Sequence, residues 1–192
     1  MDRRACGGAG IADGDRPRGR RPRRLVLDEG ARGLAVATSL WETIATEAAG
    51  ESALWGDALR PEAERQQEPV FSPLGEERYA LGLETIYEGY LLHYGTPRLF
   101  DPADGDTALL LGDYLYAHGL VRVAETGTVE AVADLAALIS RCAQLRADEL
   151  DGDGDEWAAT ASTLGYGEAA RAAWEPTAGA RAALAKHASL VE

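Results

Sequence analysis

The residues in this sequence whose types could do chemistry are few, and they fall in three places. The run "DELDGDGDE" puts Asp148, Glu149, Asp151, Asp153, Asp155 and Glu156 within one short segment, and its alternating acids suggest a cation loop. Counted as a calcium loop from Asp151, however, the sixth position is Glu156 where a Gly belongs and the twelfth is Ser162 where a bidentate Glu belongs. Asp151, Asp153 and Asp155 therefore stand as weak metal candidates beside the plainer reading of a solvated acidic loop. His93 closes an apolar stretch in "GYLLHYGTPR". None of His93, His118 and His187 has the i, i+4 spacing or the Glu of a zinc-protease helix, so His93 reads first as a helix-end histidine and second as a ligand. Asp113 lies among Leu110, Leu111, Tyr114 and Leu115, where a carboxylate on a buried helix needs a partner. Tyr87, Tyr90, Tyr94, Tyr114 and Tyr116 cluster on the same two segments; such rings pack a core with their hydroxyls reaching outward, or wall a groove.

The elements that must hold these residues are helices. From Leu25 onward Ala, Leu and Glu dominate and the apolar spacing is three and four, which predicts an all-α fold. A first helix is expected from about Asp28 to Ala49, with Leu34, Thr38, Trp41, Ile44 and Ala48 on one face and Gly50 at its end. After a Pro-broken passage, Ser72-Pro73 reads as an N-cap with proline at the first helical position, opening a helix that runs to Tyr94 and stops at Gly95 and Pro97. "LFDPADGD" is a turn. The next helix, about Thr107 to Thr126, carries Leu110, Tyr114, Ala117, Val121 and Ala124 on one face, with Leu111, Leu115 and His118 beside it, a stripe wide enough for a well-buried central helix. Thr128 caps a further helix with Val132, Leu135, Ile139, Cys142 and Leu145 or Arg146 inward. Two Ala-rich helices follow, near Glu156 to Leu164 and Gly167 to His187, the latter interrupted at Pro176.

Composition narrows the function classes. The chain of 192 residues has a formal net charge of -13. Residues 1–24 hold eight Arg against three Asp, so residues 25–192, with 11 basic and 29 acidic groups, carry -18. Residues 1–24 thus read as a disordered Arg, Gly and Pro-rich arm, and residues 25–192 as a single acidic α-helical domain unsuited to phosphate backbones. "CGGAGIAD" in the arm lacks the preceding strand and third glycine of a nucleotide loop. Two distant cysteines, Cys6 and Cys142, fit a reducing cytoplasm, and no apolar run is long enough to span a bilayer.

Two stretches together resemble the trans-type isoprenyl diphosphate synthases. "LLLGDYLYAHGLVRVAETGTVEAVADLAALISRCAQLRADE", residues 109–149, resembles the family's Gly-Asp-x-Leu helix (Gly112-Asp113-Tyr114-Leu115), its helix break (Thr126-Gly127-Thr128) and the next helix, ending near Gln144. "LETIYEGYLLHYGTPR", residues 83–98, is similar to the helix that presents the first aspartate-rich motif, with Glu84 and Leu91-Leu92-His93 in place. The five motif positions themselves are Tyr94, Gly95, Thr96, Pro97 and Arg98.

The resemblance implies a shortened helical bundle of the isoprenoid-synthase type. In that family carboxylates on facing helices hold Mg²⁺ against a diphosphate leaving group. Here the first motif has no acid, Arg98 stands where the last acid would, and no second Asp-Asp-x-x-Asp follows the Gln144 helix. The implied role is a non-catalytic partner or regulatory subunit without cofactor, in a homo-oligomer or joined to a catalytic prenyl diphosphate synthase. Tyr90, His93, Tyr94, Asp113, Tyr114 and Gln144 are then the candidates for a groove that takes a prenyl chain. Two alternatives stay open: a small prenyl-diphosphate-processing enzyme that recruits Mg²⁺ through the acidic loop 148–156, and a generic helical interaction module.

Overall fold

The computed structural model describes residues 29–191, with side chains from Leu40 onward. The arm expected at residues 1–24 lies outside the described residues, as do the side chains of Leu34 and Thr38. Among the described residues the fold is all-α. It has eight helices, α1 (Glu29–Glu51), α2 (Ala53–Asp57), α3 (Ala80–Tyr94), α4 (Gly105–Thr126), α5 (Val129–Ala147), α6 (Asp153–Ser162), α7 (Glu168–Ala172) and α8 (Ala178–Val191). The only extended pairing described is an isolated bridge between Leu59 and Phe100. No described helix is long and apolar enough to cross a membrane.

Local chemistry sets most of the boundaries. Asp104 caps α4, its carboxylate accepting the Thr107 N–H at 2.7 Å, and Thr128 caps α5 by accepting from Ala131 N–H at 3.3 Å. Pro176 separates α7 from α8, where a helix interior would lack a donor. The expected cap at Ser72 is a correction. Ser72–Leu74 and Glu77–Tyr79 form two 3₁₀ turns, and α3 starts only at Ala80. The Ser72 side chain caps nothing, because its segment is drawn inward instead: the backbone N–H groups of Val70 and Ser72 both donate to Glu84 Oε1, at 3.2 and 3.1 Å.

The most extensive helix contact is α3 on α4, and glycines make it. Gly82 and Gly89 on α3 meet Gly112 and Gly119 on α4, each pair seven residues apart, so the two backbones nearly touch. A Cβ at Gly89 would sit 2.8 Å from the Gly112 carbonyl oxygen, and one at Gly119 would sit 2.4 Å from an Ile86 side-chain carbon and 3.0 Å from the Gly82 oxygen. This interlock turns α4 so that Leu111, Gly112, Leu115, Gly119 and Val123 face inward. The stripe expected to be buried, Leu110, Ala117, Val121 and Ala124, faces outward instead, with Leu110 55% and Val121 54% exposed. Glycine adds no hydrophobicity to a periodicity, which is why the true face was masked by a more apolar one.

Two apolar clusters flank α3. On one side Tyr87, Tyr90 and Ile86 pack with Phe71, Leu135, Leu138, Cys142, Trp157 and Ala183, joining α3 to α5, α6 and α8. On the other, Trp41 and Ile44 of α1 pack with Leu92, Leu99, Phe100, Leu111 and Leu115. α3 is thus buried nearly all round, and every side chain it carries inward, polar or not, needs a partner.

Candidate functional site

Three polar side chains converge in the interior where the sequence suggested only a broken metal motif. Glu84 and Glu88, one helical turn apart on α3, are fully buried, and so is Arg98, which returns to them after the Gly95–Pro97 turn. Arg98 Nη1 donates to Glu84 Oε2 at 2.7 Å and to the Glu68 carbonyl at 3.2 Å, and its Nε donates to Glu88 Oε2 at 3.0 Å. The remaining carboxylate oxygens accept backbone N–H groups: Glu84 Oε1 those of Val70 and Ser72, and Glu88 Oε1 that of Leu99 at 2.7 Å. The guanidinium lies between two rings, 4.5 Å from the Trp41 centroid and 4.9 Å from that of Tyr87. Burial alone would lower the proton affinity of Arg98, but the two carboxylates outweigh it and hold the guanidinium charged. The result is a cross-link among α3, the loop before it and the loop after it.

A second polar cluster joins α3, α5, α6 and α8. The Tyr90 hydroxyl donates to Asp153 Oδ2, and Arg146 reaches the same oxygen through Nη2 at 2.5 Å and Nε at 3.1 Å. Arg146 also donates to the Tyr90 hydroxyl oxygen, at 2.8 Å from Nη2. The His187 Nε2 atom is 3.4 Å from the Asp153 carboxylate, and its Nδ1 is 2.9 Å from the Tyr87 hydroxyl. Burial would raise the Asp153 carboxyl, yet the contacts from His187, Tyr90 and Arg146 hold it well below the usual carboxylate range. Burial, with Asp153 adding to it, pushes the Tyr90 hydroxyl up, so Tyr90 stays a donor. Asp153 thus lies in the core and not on a solvated acidic loop. Gly152, with φ 120°, turns the chain so that α6 begins with this acid pointing inward, while Asp151 and Asp155 stay exposed. Gly154 gives the room for α8, since a Cβ there would lie 2.8 Å from the His187 ring.

The six groove candidates divide. Tyr90, His93 and Tyr94 are contiguous, with ring centroids 5.2 Å apart for Tyr90 and Tyr94 and 5.6 Å for Tyr94 and His93. Asp113 joins them, its Oδ1 3.4 Å from His93 Nε2, but it is a correction: at 66% side-chain exposure it is not a buried acid, because the glycine seam rotates it off the inner face of α4. His93 stacks on Tyr116, with centroids 5.0 Å apart, in space kept free by Gly112, where a Cβ would approach Nε2 to 2.5 Å. Burial lowers the His93 imidazole below its ordinary value, with Asp113 pulling the other way. Tyr114 lies elsewhere, between Trp55 at 5.9 Å and His118 at 5.3 Å. Gln144 donates to Asp148 at 2.8 Å on an exposed turn. Tyr87 and Tyr90 pack with Phe71, Trp157 and His187 as core rings.

Glu84, Glu88, Arg98 and Arg146 are the residues that sequence reasoning did not bring together. The available signal was Glu84 and Glu88 at i, i+4 inside an otherwise apolar helix, an arrangement that requires a buried cation. Among the described residues, no group of three or more His, Cys, Asp or Glu side chains is placed to hold a metal ion. No family model, no curated protein and no solved structure matches this chain.

Proposed function

We propose that the chain is a non-catalytic, shortened relative of the isoprenyl diphosphate synthases, a cytoplasmic partner or regulatory subunit in isoprenoid biosynthesis. The observation that carries this reading is the position of Arg98. It occupies the place of the last acid of the first metal motif, and there it neutralises Glu84 and Glu88 in the interior. A segment committed to closing the core between α3 and its flanking loops is not available to present carboxylates to Mg²⁺. The inward turn of Asp153 onto Arg146 and Tyr90 weighs against the alternative in which the acidic loop supplies the metal.

The test is an elongation assay with Mg²⁺, isopentenyl diphosphate and allylic diphosphates. The chain alone is expected to give no product. Added to a full-length synthase of the same organism, it is expected to change the rate or product length. Turnover by the chain alone, or no effect on any such synthase, overturns the proposal.

A further inference from the structure

The buried guanidinium of Arg98 is not fully paired. Such a group carries five N–H donors in one plane. Its faces lie against Trp41 and Tyr87, its Nε donates to Glu88, and its Nη1 donates to Glu84 and to the Glu68 carbonyl. Nη2 is buried and has no hydrogen-bond partner among the described residues. A charged donor left unpaired in the interior is costly, so an acceptor that reaches its edge is bound strongly for its size.

Arg98 also forms part of the wall of a cavity of about 80 Å³, between the loop before α3 and the last turns of α8. That is several times the ~10–15 Å³ that one water needs, so the cavity has room for a few non-hydrogen atoms. Its wall is of two kinds: Lys186 and Gln66 bring polar groups, whereas Val70 and Leu190 bring apolar ones. Glu84 and Glu88 do not border it, and the one carboxylate that does is that of Glu68. Glu68 Oε1 lies 2.5 Å from Lys186 Nζ, with the two side chains 71% and 41% exposed. An ion pair so open to solvent adds little stability, so Glu68 can swing away from Lys186 at small cost.

We propose that this cavity is a binding site for a short-chain monocarboxylate of the size of acetate. The planar carboxylate matches the guanidinium edge at Nη2, and Lys186 Nζ exchanges Glu68 for the ligand's oxygen. The methyl group then meets Val70 and Leu190, giving the site the apolar wall with a few placed polar groups that small-molecule sites share. Phosphate suits it less. It brings a larger negative charge toward Glu84 and Glu88, which already outnumber Arg98, and has no apolar atom to set against Val70 and Leu190. A ligand of four non-hydrogen atoms binds no tighter than roughly 0.04 mM, so the site responds to millimolar acetate.

This inference does not rest on the synthase-like reading, and its test needs no synthase. The isotope-labelled full chain is titrated with sodium acetate in place of sodium chloride, at fixed neutral pH and ionic strength, and read by two-dimensional nuclear magnetic resonance. The amide signals of Gln66, Val70 and Leu190 are expected to follow one saturating curve. Lys186→Met is expected to weaken acetate binding by at least about tenfold, through loss of a charge-assisted donor. Glu68→Gln removes the competing carboxylate and is expected to tighten binding by about twofold to fivefold. Both positions are exposed enough for the far-ultraviolet circular dichroism to stay unchanged. Shifts that do not saturate or that scatter over the surface mean an adventitious ion only and overturn the proposal. Phosphate binding as tightly as acetate, or an affinity indifferent to Glu68→Gln, overturns it as well. Should Lys186→Met misfold, Glu68→Gln and the comparison with phosphate decide.

Discussion

Replacing Arg98 by Met removes the charge at the centre of the fold while keeping much of the side chain's volume. The wild-type guanidinium makes three hydrogen bonds, to Glu84, Glu88 and the Glu68 carbonyl, and contacts two rings. Without it, Glu84 and Glu88 remain as two buried carboxylates supported only by the N–H groups of Val70, Ser72 and Leu99. Breaking a buried pair by deleting one partner costs about 3–5 kcal/mol. Two charge-assisted bonds at about 1.5–3 kcal/mol each reach the same range independently. For a chain of this size that corresponds to a fall in Tm of roughly 6–20 °C. Urea unfolding followed by tryptophan fluorescence measures the loss directly, since Trp41 lies against Arg98. Adding Glu84→Gln and Glu88→Gln to the Met variant should recover at least about half of the loss, because a neutral interior needs no counter-charge. A loss under about 1 kcal/mol, or no recovery from the two Gln substitutions, would show that the triad is not what holds these loops.

Three further outcomes follow from the same packing. Gly119→Ala drives a methyl into Ile86 and the Gly82 carbonyl and should cost about 1–3 kcal/mol in urea unfolding, whereas Gly105→Ala, where nothing lies within 4 Å, should change stability by less than about 0.5 kcal/mol. Asp153→Asn should cost about 2–3 kcal/mol at neutral pH. Because the folded-state carboxyl is held below its ordinary value, its contribution is fully present above about pH 4 and is lost as pH falls through the folded-state value, so the wild-type and variant stability curves should run parallel at neutral pH and converge only in acid. Cys142 is buried, and burial pushes its thiol up to about 12. In a Cys6→Ser background a thiol reagent at mildly alkaline pH should label it only under denaturing conditions, and prompt labelling of native protein would contradict the burial.

The helices themselves were legible because several local signals agree along them. Thr128 as a cap, the turn at "LFDPADGD" and the stop at Gly95–Pro97 are chemistry that neighbouring residues settle among themselves. Orientation was less legible. Glu84 and Glu88 are charged, so periodicity alone turns them to solvent; their burial depends on Arg98, which reaches them only once the chain has folded back. The glycine pairs on α3 and α4 act by what they lack, and a hydrophobic pattern cannot register a missing side chain. Asp153 was hidden in the opposite way: five other acids in the same run suggested one shared role, and only the positive φ at Gly152 separates the one that turns inward.

The segment Tyr94–Arg98 therefore helps to build the core. Gly95 lets the turn pass beneath α8, since a Cβ there would lie 2.5 Å from the Leu190 carbonyl, and Thr96 N–H donates to that same oxygen at 2.7 Å. Pro97 ends any continuation of α3 and delivers Arg98 to the interior. A carboxylate at position 98 would place a third negative charge beside Glu84 and Glu88, with no cation to balance them. An inward Arg98 and an outward-facing acid at the same position are mutually exclusive, so a carboxylate at position 98 would destabilise this part of the core. Among the described residues Leu110, Ala117, Val121 and Ala124 are exposed because the glycine seam turns the other side of α4 into the core.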